Sequence, residues 1–309
     1  MAEPEVWSLD RLLASDLGRS VVWTHESLKE RVCARFSQPV LGRDSTPPLG
    51  LDSLVVVGGG ELIDRAKAWR VENSPSTRLF AIPSLWASGA EASPIVVLNT
   101  EQGKSFRKGP EYRPDVRVIW EDLAQTVPPE LARWACGDVW AHALEGFLSP
   151  LGDPTSRFET GALLARLLDL PLASDPRWFE MGALACAAQA RTGVGLVHGI
   201  AHVLEPVLRQ ARPELEIGHA RLCATYLWPV FRLDRTRSEK PGVFLSECSL
   251  DPEAIERALT PLFEEDFYRE TLPALKENWH RILRDPCARI NCVLVRPDHL
   301  SHFLGGMEG

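Results

Sequence analysis

Ser53–Arg70 reads SLVVVGGGELIDRAKAWR: an unbroken apolar run, three glycines, then a segment of helical character. A strand that is apolar on both faces belongs in a parallel sheet covered by helices. Gly58, Gly59 and Gly60 let backbone approach a ligand closely, and their N–H groups, with the N-terminus of the following helix, can hold a phosphate. A tight turn without a ligand is the plainer alternative, and the run is not the GxGxxG of an ordinary dinucleotide fingerprint.

Working outward, Arg19–Thr24 (RSVVWT) reads as a buried strand, HESLKERVCARF as a helix and GRDSTPPLGLD as a loop. Residues 1–18 read as a short helix or lead-in. Downstream, Phe80–Pro83 reads as a further parallel strand, with SLWASGAEAS as a small-residue loop at its carboxyl end, where open α/β sheets bind ligands. Val116–Trp120 is a last strand, and Thr126-Val127-Pro128-Pro129 closes the alternation of strands and helices. Beyond it the periodicity is helical. The expected organisation is therefore an α/β nucleotide-binding domain over 1–128 and an all-α helical-bundle domain over 129–309.

In the second half PELARWACGDVWAHALEGFL, ETGALLARLLDL, the long stretch from Arg177 to Gln210, and HARLCATYLWPVF read as helices, several of them apolar nearly all round. SEKPGV reads as a turn or loop ahead of two more helices, and the tail as extended and then weakly helical. Polar residues on such apolar helices need a reason. Asp138, His142 and Glu145 share one helix face; His198, His202 and Glu205 share another; His219 follows a break at Arg212-Pro213. One such pair alone is more simply a solvated helix surface. Two pairs with a further histidine point to a divalent metal held by N and O ligands. His25, His280, His299 and His302 read as solvated or structural.

A net charge of −8 without any Lys/Arg run excludes nonspecific binding to nucleic acid or to an anionic membrane. The acidic start MAEPEVWSLD does not read as a signal peptide, and no apolar run is long enough to span a bilayer. Seven scattered cysteines without a CxxC pair read as reduced thiols of a cytoplasmic protein.

From about Leu54 to Pro229 the sequence resembles the iron-containing (group III) alcohol dehydrogenases of the dehydroquinate synthase-like superfamily. The family's GGGSxxDxxK motif is similar to Gly58-Gly59-Gly60-Glu61-Leu62-Ile63-Asp64-Arg65-Ala66-Lys67, and its TTxGTGSE loop to Ser84-Leu85-Trp86-Ala87-Ser88-Gly89-Ala90-Glu91. Lys104 matches the lysine before the family's PD. DxxxHxxE matches Asp138, His142 and Glu145; GLxHxxAH matches Gly195, Leu196, His198, Ala201 and His202; the later HG resembles His219-Ala220. The resemblance implies metal ligation by Asp138, His142, His198 and His219, with His202 beside the metal as the catalytic proton carrier. It implies cofactor contacts from Gly58, Gly59, Gly60, Asp64, Ser84, Leu85, Ser88 and Lys104, and an active site in a cleft between the two domains. The activity implied is hydride transfer between NAD or NADP and an alcohol or carbonyl substrate, assisted by Fe²⁺ or Zn²⁺.

The sequence also departs from the family. Glu61 replaces a serine and sets a carboxylate against the cofactor pyrophosphate; Trp86 and Ala87 crowd the next loop; His25 stands where an acidic residue usually meets the adenosine ribose. The region before Leu54 lacks room for the usual second βα unit, and the stretch from His202 to His219 is long and borders the expected cleft. A specialised substrate follows from these departures. Candidates are a small alcohol or carbonyl compound or a peptide, in natural-product or daptide-type ribosomal-peptide tailoring, with a homodimer or a partner-enzyme complex as the assembly. Two alternatives stay open: a lyase of dehydroquinate-synthase type, and a non-catalytic, metal-stapled partner protein.

Overall fold

The computed structural model describes residues 4–100 and 103–305, less the side chains of residues 99, 100, 103 and 104. The elements form two compact units, Met1–Pro128 with Ser174–Ala187, and Pro129–Ala173 with Ala188–Gly309.

The first unit is built on a six-stranded, all-parallel sheet. Its strands are β1 (Glu5–Ser8), β2 (Ser20–Thr24), β3 (Val40–Leu41), β4 (Ser53–Gly58), β5 (Arg78–Pro83) and, after a hairpin of β6 (Ile95–Thr100) and β7 (Gly103–Lys108), β8 (Val116–Ile119). The spatial order is β1-β8-β5-β4-β2-β3. β4 lies inside, paired in parallel with β2 and β5, and Leu54–Val57 are wholly buried, as its unbroken apolar run requires. Helices α1 (Leu9–Leu13), α2 (Lys29–Cys33) and α3 (Gly60–Asn73) connect the strands.

Three features differ from the expectation. Glu5–Ser8 is an edge strand on β8 instead of a lead-in, with only Trp7 turned inward. A compressed second βα unit does exist: a 3₁₀ turn and the five-residue α2 lead to the two-residue β3. The antiparallel β6–β7 hairpin was not read at all. It is anchored to α3 through Asp64, which accepts the Val97 amide at 2.9 Å, and through Lys67, which donates to the Ile95 carbonyl and pairs with Asp64 at 2.7 Å.

The second unit is helical: α4 (Pro129–Leu148), α5 (Pro154–Leu168), the end of α6 (Arg177–Thr192), α7 (Leu196–Ala211), α8 (His219–Arg237), α9 (Lys240–Glu247), α10 (Pro252–Leu259), α11 (Glu265–Ile282), α12 (Pro286–Arg289) and α13 (Leu300–Leu304). Of SEKPGV, Ser238 and Glu239 form the turn after α8, and the remaining four residues already belong to α9. Pro241 sits in its first turn, where its missing N–H costs nothing. α4 is buried on nearly every face from Trp134 onward. Two glycines set the helix spacing around its polar residues. A Cβ on Gly137 would lie 2.4 Å from the Ala224 Cβ, so α4 and α8 cross in contact beside Asp138. A Cβ on Gly195 would lie 2.9 Å from a Glu145 oxygen, so α4 reaches directly under the start of α7.

Candidate metal centre

Asp138 and His142 stand one turn apart on α4, His198 in the first turn of α7, and His219 at the first position of α8. Asp138, His142 and His198 are buried and His219 half-buried. The four residues converge. His198 Nε2 lies 3.7 Å from Asp138 Oδ1, and the His198 ring centre is 4.5 Å from that of His142 and 5.4 Å from that of His219. Asp138, His198, His219 and Cys223 have donor atoms that all lie within 4.8 Å of one another. His142 flanks this tightest set.

Three atoms here, Asp138 Oδ1, His142 Nδ1 and His219 Nδ1, are buried without a hydrogen-bond partner among the described residues. Buried polar atoms are otherwise nearly always paired, and a cation is one way to satisfy them. The protonation states agree with that role. Burial holds His142 down to about 3, so it presents a neutral imidazole with a free lone pair. Burial, reinforced by Asp138 and Glu145, pushes the Cys223 thiol well up, so that it stays protonated beside the N and O donors.

Glu145 had no role assigned beyond its place in a motif. Its Oε2 meets His198 Nδ1 at 2.6 Å and its Oε1 accepts the Val197 amide at 2.6 Å, which turns His198 Nε2 toward Asp138. Burial raises this carboxyl to about 7, against the bonds it accepts from the start of α7.

His202 has other partners. Its ring stacks on His219 with centres 5.4 Å apart, and its Nδ1 lies 3.5 Å from Asp285 Oδ2 and 3.9 Å from Cys287 Sγ. Glu205 faces His219 Nδ1 at 3.7 Å. Cys223 was legible in principle, since it lies four residues after His219 on one helix. Asp285 and Cys287 were not, because only the tertiary fold brings them to α7.

In the first unit, Gly58 ends β4, Gly59 is the N-cap of α3 and Gly60 its first residue. A Cβ on Gly59 would meet nothing within 4 Å, whereas one on Gly60 would lie 2.2 Å from Ser88 Oγ. The turn is thus open above Gly59 and closed by the Ser84–Ser88 loop at Gly60. Ser84, Leu85 and Ser88 are half-buried. The Lys104 side chain lies outside the described residues. Asp64 has both oxygens engaged, by Lys67 and by Val97 N, and so braces the hairpin.

The two departures that crowded this turn are accommodated. Arg43, just after β3, pairs with Glu61 at 2.5 Å, and Trp86 is wholly buried edge-on against Phe179, 5.6 Å away. His25 caps the 3₁₀ turn after β2 through Ser27 N at 3.3 Å.

No protein-family model matches the chain. The chain is similar to the 1-propanol dehydrogenase PduQ of Salmonella typhimurium, 30% identical over 165 residues, covering 48% of this chain and 44% of that protein. It spans about half the length of the curated relatives it matches. Among solved structures it is similar to the iron-containing alcohol dehydrogenase of Thermococcus thioreducens (TM-score 0.75, 21% identity, 99% of this chain and 98% of that one). A sulfoacetaldehyde reductase from Bifidobacterium kashiwanohense in complex with NAD⁺ is similar at a TM-score of 0.78 and 17% identity, over 99% and 98% of the two chains. These structures establish the fold. Among the described residues no helix is long and apolar enough to cross a membrane.

Proposed function

We propose that this chain, which belongs to the iron-containing alcohol dehydrogenase family, is a metal- and nicotinamide-dependent oxidoreductase acting on an alcohol or carbonyl substrate. The observation that carries the reading is the convergence of Asp138, His142, His198 and His219 with three buried donor atoms left without hydrogen-bond partners among the described residues. These residues would hold the ion, with the Cys223 thiol at its side. The ion would supply Lewis acidity to an alcohol or carbonyl oxygen, and an N/O donor set suits iron or zinc. NAD or NADP would supply or accept the hydride.

The chain's own residues do the rest. Glu145 fixes the His198 ring and leaves Nε2 as its donor atom. His202, which stacks on His219 and faces Asp285, takes the substrate's hydroxyl proton toward solvent. The Gly59 amide and the first free N–H groups of α3 would hold the pyrophosphate. Arg43 neutralises Glu61 beside them. Two placements favour catalysis over a metal-stapled partner protein: Trp86 is packed into the core, away from the opening above Gly59, and Glu61 is paired. Arg212–Gly218, the loop that ends at His219, is the segment to set substrate choice, including any peptide or other natural-product substrate.

The test is direct. Purified, dialysed protein should retain about one iron or zinc per chain, lost in His198→Ala. NADH or NADPH fluorescence should change on binding. Retained metal with no binding of either nucleotide at about 1 mM, near the top of ordinary substrate ranges, would remove the dehydrogenase reading.

A further inference from the structure

We infer that His202, Asp285 and Cys287 form a second cation site, matched to zinc, whose occupation switches the enzyme off. The three donor atoms lie within 4.8 Å of one another. His202 Nδ1 is 3.5 Å from Asp285 Oδ2 and 3.9 Å from Cys287 Sγ. As hydrogen bonds these contacts are at the outer limit. As edges of a coordination tetrahedron they are close to the right length: zinc bonds of about 2.0–2.3 Å give N···O and N···S edges of about 3.3–3.6 Å. Imidazole, carboxylate and thiolate are together a donor set for zinc, whereas the neighbouring centre offers imidazoles and a carboxylate.

The site is preformed. Asp285 caps α12 and its Oδ1 accepts the Cys287 amide at 2.8 Å, which fixes the two residues relative to each other and leaves Oδ2 facing His202. α12 is held against α7 at Gly199, where an added Cβ would lie 3.0 Å from the Ala288 Cβ. Gly199 is three residues before His202, on the same side of the helix. The His202 and Asp285 side chains are 19% and 13% exposed, so water reaches the fourth position and the ion exchanges. At the neighbouring centre Asp138 and His198 are only 4% and 3% exposed. The second ion is therefore held less tightly than the first.

Burial pushes the Cys287 thiol up, as it does Cys223, so zinc binding here would have to displace its proton, which the partly exposed site can release to solvent, as well as occupy His202 Nδ1. The inhibitory half of the inference rests on the proposed role of His202 as proton carrier; the binding half does not.

The experiment uses the whole 309-residue chain in a Cys33→Ser background, which removes the exposed thiol. Protein stripped of metal with a chelator is titrated with Zn²⁺ and, separately, with Co²⁺, whose thiolate charge-transfer band reports cysteine ligation. The parent should bind two zinc ions, and Cys287→Ser one. The second cobalt equivalent should bring in the thiolate band, absent in Cys287→Ser. Excess zinc should lower kcat at least about tenfold, roughly the loss of a general acid–base residue's contribution, in the parent and not in Cys287→Ser. Equal stoichiometry and equal cobalt spectra in the two proteins would overturn the site, whether or not Cys287→Ser is fully stable. Two zinc ions bound without inhibition would overturn the switch. Asp138→Asn separates this from the main centre: it should lose the tight ion and keep the exchangeable one. If Asp138→Asn loses nothing, the proposed metal centre fails while the second site stands.

Discussion

Glu145 Oε2 lies 2.6 Å from His198 Nδ1, while the other oxygen of the same carboxylate accepts the Val197 amide at the same distance. One side chain of α4 thus ties down both the first turn of α7 and the ring of its first histidine. It selects Nε2 as the His198 atom that faces Asp138. In Glu145→Gln one of these bonds survives and the other becomes a neutral contact. Metal affinity, measured by competition with a chelator, should fall about 10–100-fold, with His198 still present. Unchanged affinity would reduce Glu145 to a structural cap of α7. Glu145→Ala should add a stability loss of about 1–3 kcal/mol, because the buried Val197 amide loses its partner.

Cys223 and His142 compete for a place beside Asp138, His198 and His219. Cys223 belongs to the tight donor set, but burial keeps its thiol protonated; His142 stands just outside that set with an unpaired Nδ1 and a neutral ring. A neutral lone pair binds a cation without first losing a proton, and a buried thiol does not. His142→Ala should therefore cost the tight metal equivalent, and Cys223→Ala should retain it. Elemental analysis after dialysis decides; the reverse order would make the centre a thiolate site.

What the sequence made legible follows from how local each signal is. β4 was legible because a strand covered on both faces must be apolar throughout, and Leu54–Val57 are. β1 was not: an edge strand buries alternate residues, and over four residues that leaves Trp7 alone. The two-residue β3 is shorter than any periodicity. SEKPGV carries turn residues because a helix N-terminus uses the same ones. Asp138, His142, His198 and His202 announced themselves by helical spacing. The partners of His202, Asp285 and Cys287, are 83 and 85 residues further on, and no spacing rule connects them. Asp64 matches a motif position, but its bond to the Val97 amide joins residues 33 apart and is equally beyond any local spacing rule.

The open position above Gly59 separates cofactor binding from folding. Gly59 has φ −76° and ψ 177°, which any residue adopts, and a Cβ there would touch nothing. Gly59→Ala should leave the thermal midpoint and metal content as they are. It should weaken NAD(P)H binding about tenfold or more, since a phosphate needs the space that the methyl takes. Fluorescence titration beside thermal melting reads both. Equal nucleotide affinity in the two proteins would move the cofactor elsewhere. Gly60→Ala should lower stability as well, because its Cβ would sit 2.2 Å from Ser88 Oγ.

Arg43 and Glu61 make the second test of the same turn. The exposed pair adds little to stability. Its effect is on charge: with the pyrophosphate held at the proposed turn, loss of Arg43 would leave the Glu61 carboxylate facing it unneutralised. Arg43→Ala should weaken nucleotide binding several-fold, more at low salt than at high salt. Arg43→Ala/Glu61→Ser should restore it. If the double variant binds as poorly as the single one, Arg43 contacts the nucleotide itself.

Asp234 carries a pH dependence that can be read without nucleotide or metal. It is buried on α8, and its Oδ1 accepts from Asn291 Nδ2 at 2.6 Å; Asn291 Oδ1 accepts the Leu196 amide at 3.0 Å. Burial is the main cause that pushes this carboxyl up to about 8, opposed by the Asn291 bond and aided by the charge of Glu145. The folded chain therefore keeps a proton here that the unfolded chain releases near the ordinary carboxylate value of about 3.9. Stability from this group is complete below about pH 4 and is lost as the pH rises to about 8. Asp234→Asn keeps the acceptor for Asn291 and removes the titration. In metal-free protein, the wild-type melting temperature should fall relative to Asp234→Asn between pH 4 and pH 8, with no further divergence above that range. A gap that stays constant over the same interval would mean that Asp234 is charged in the folded chain, held by more than Asn291.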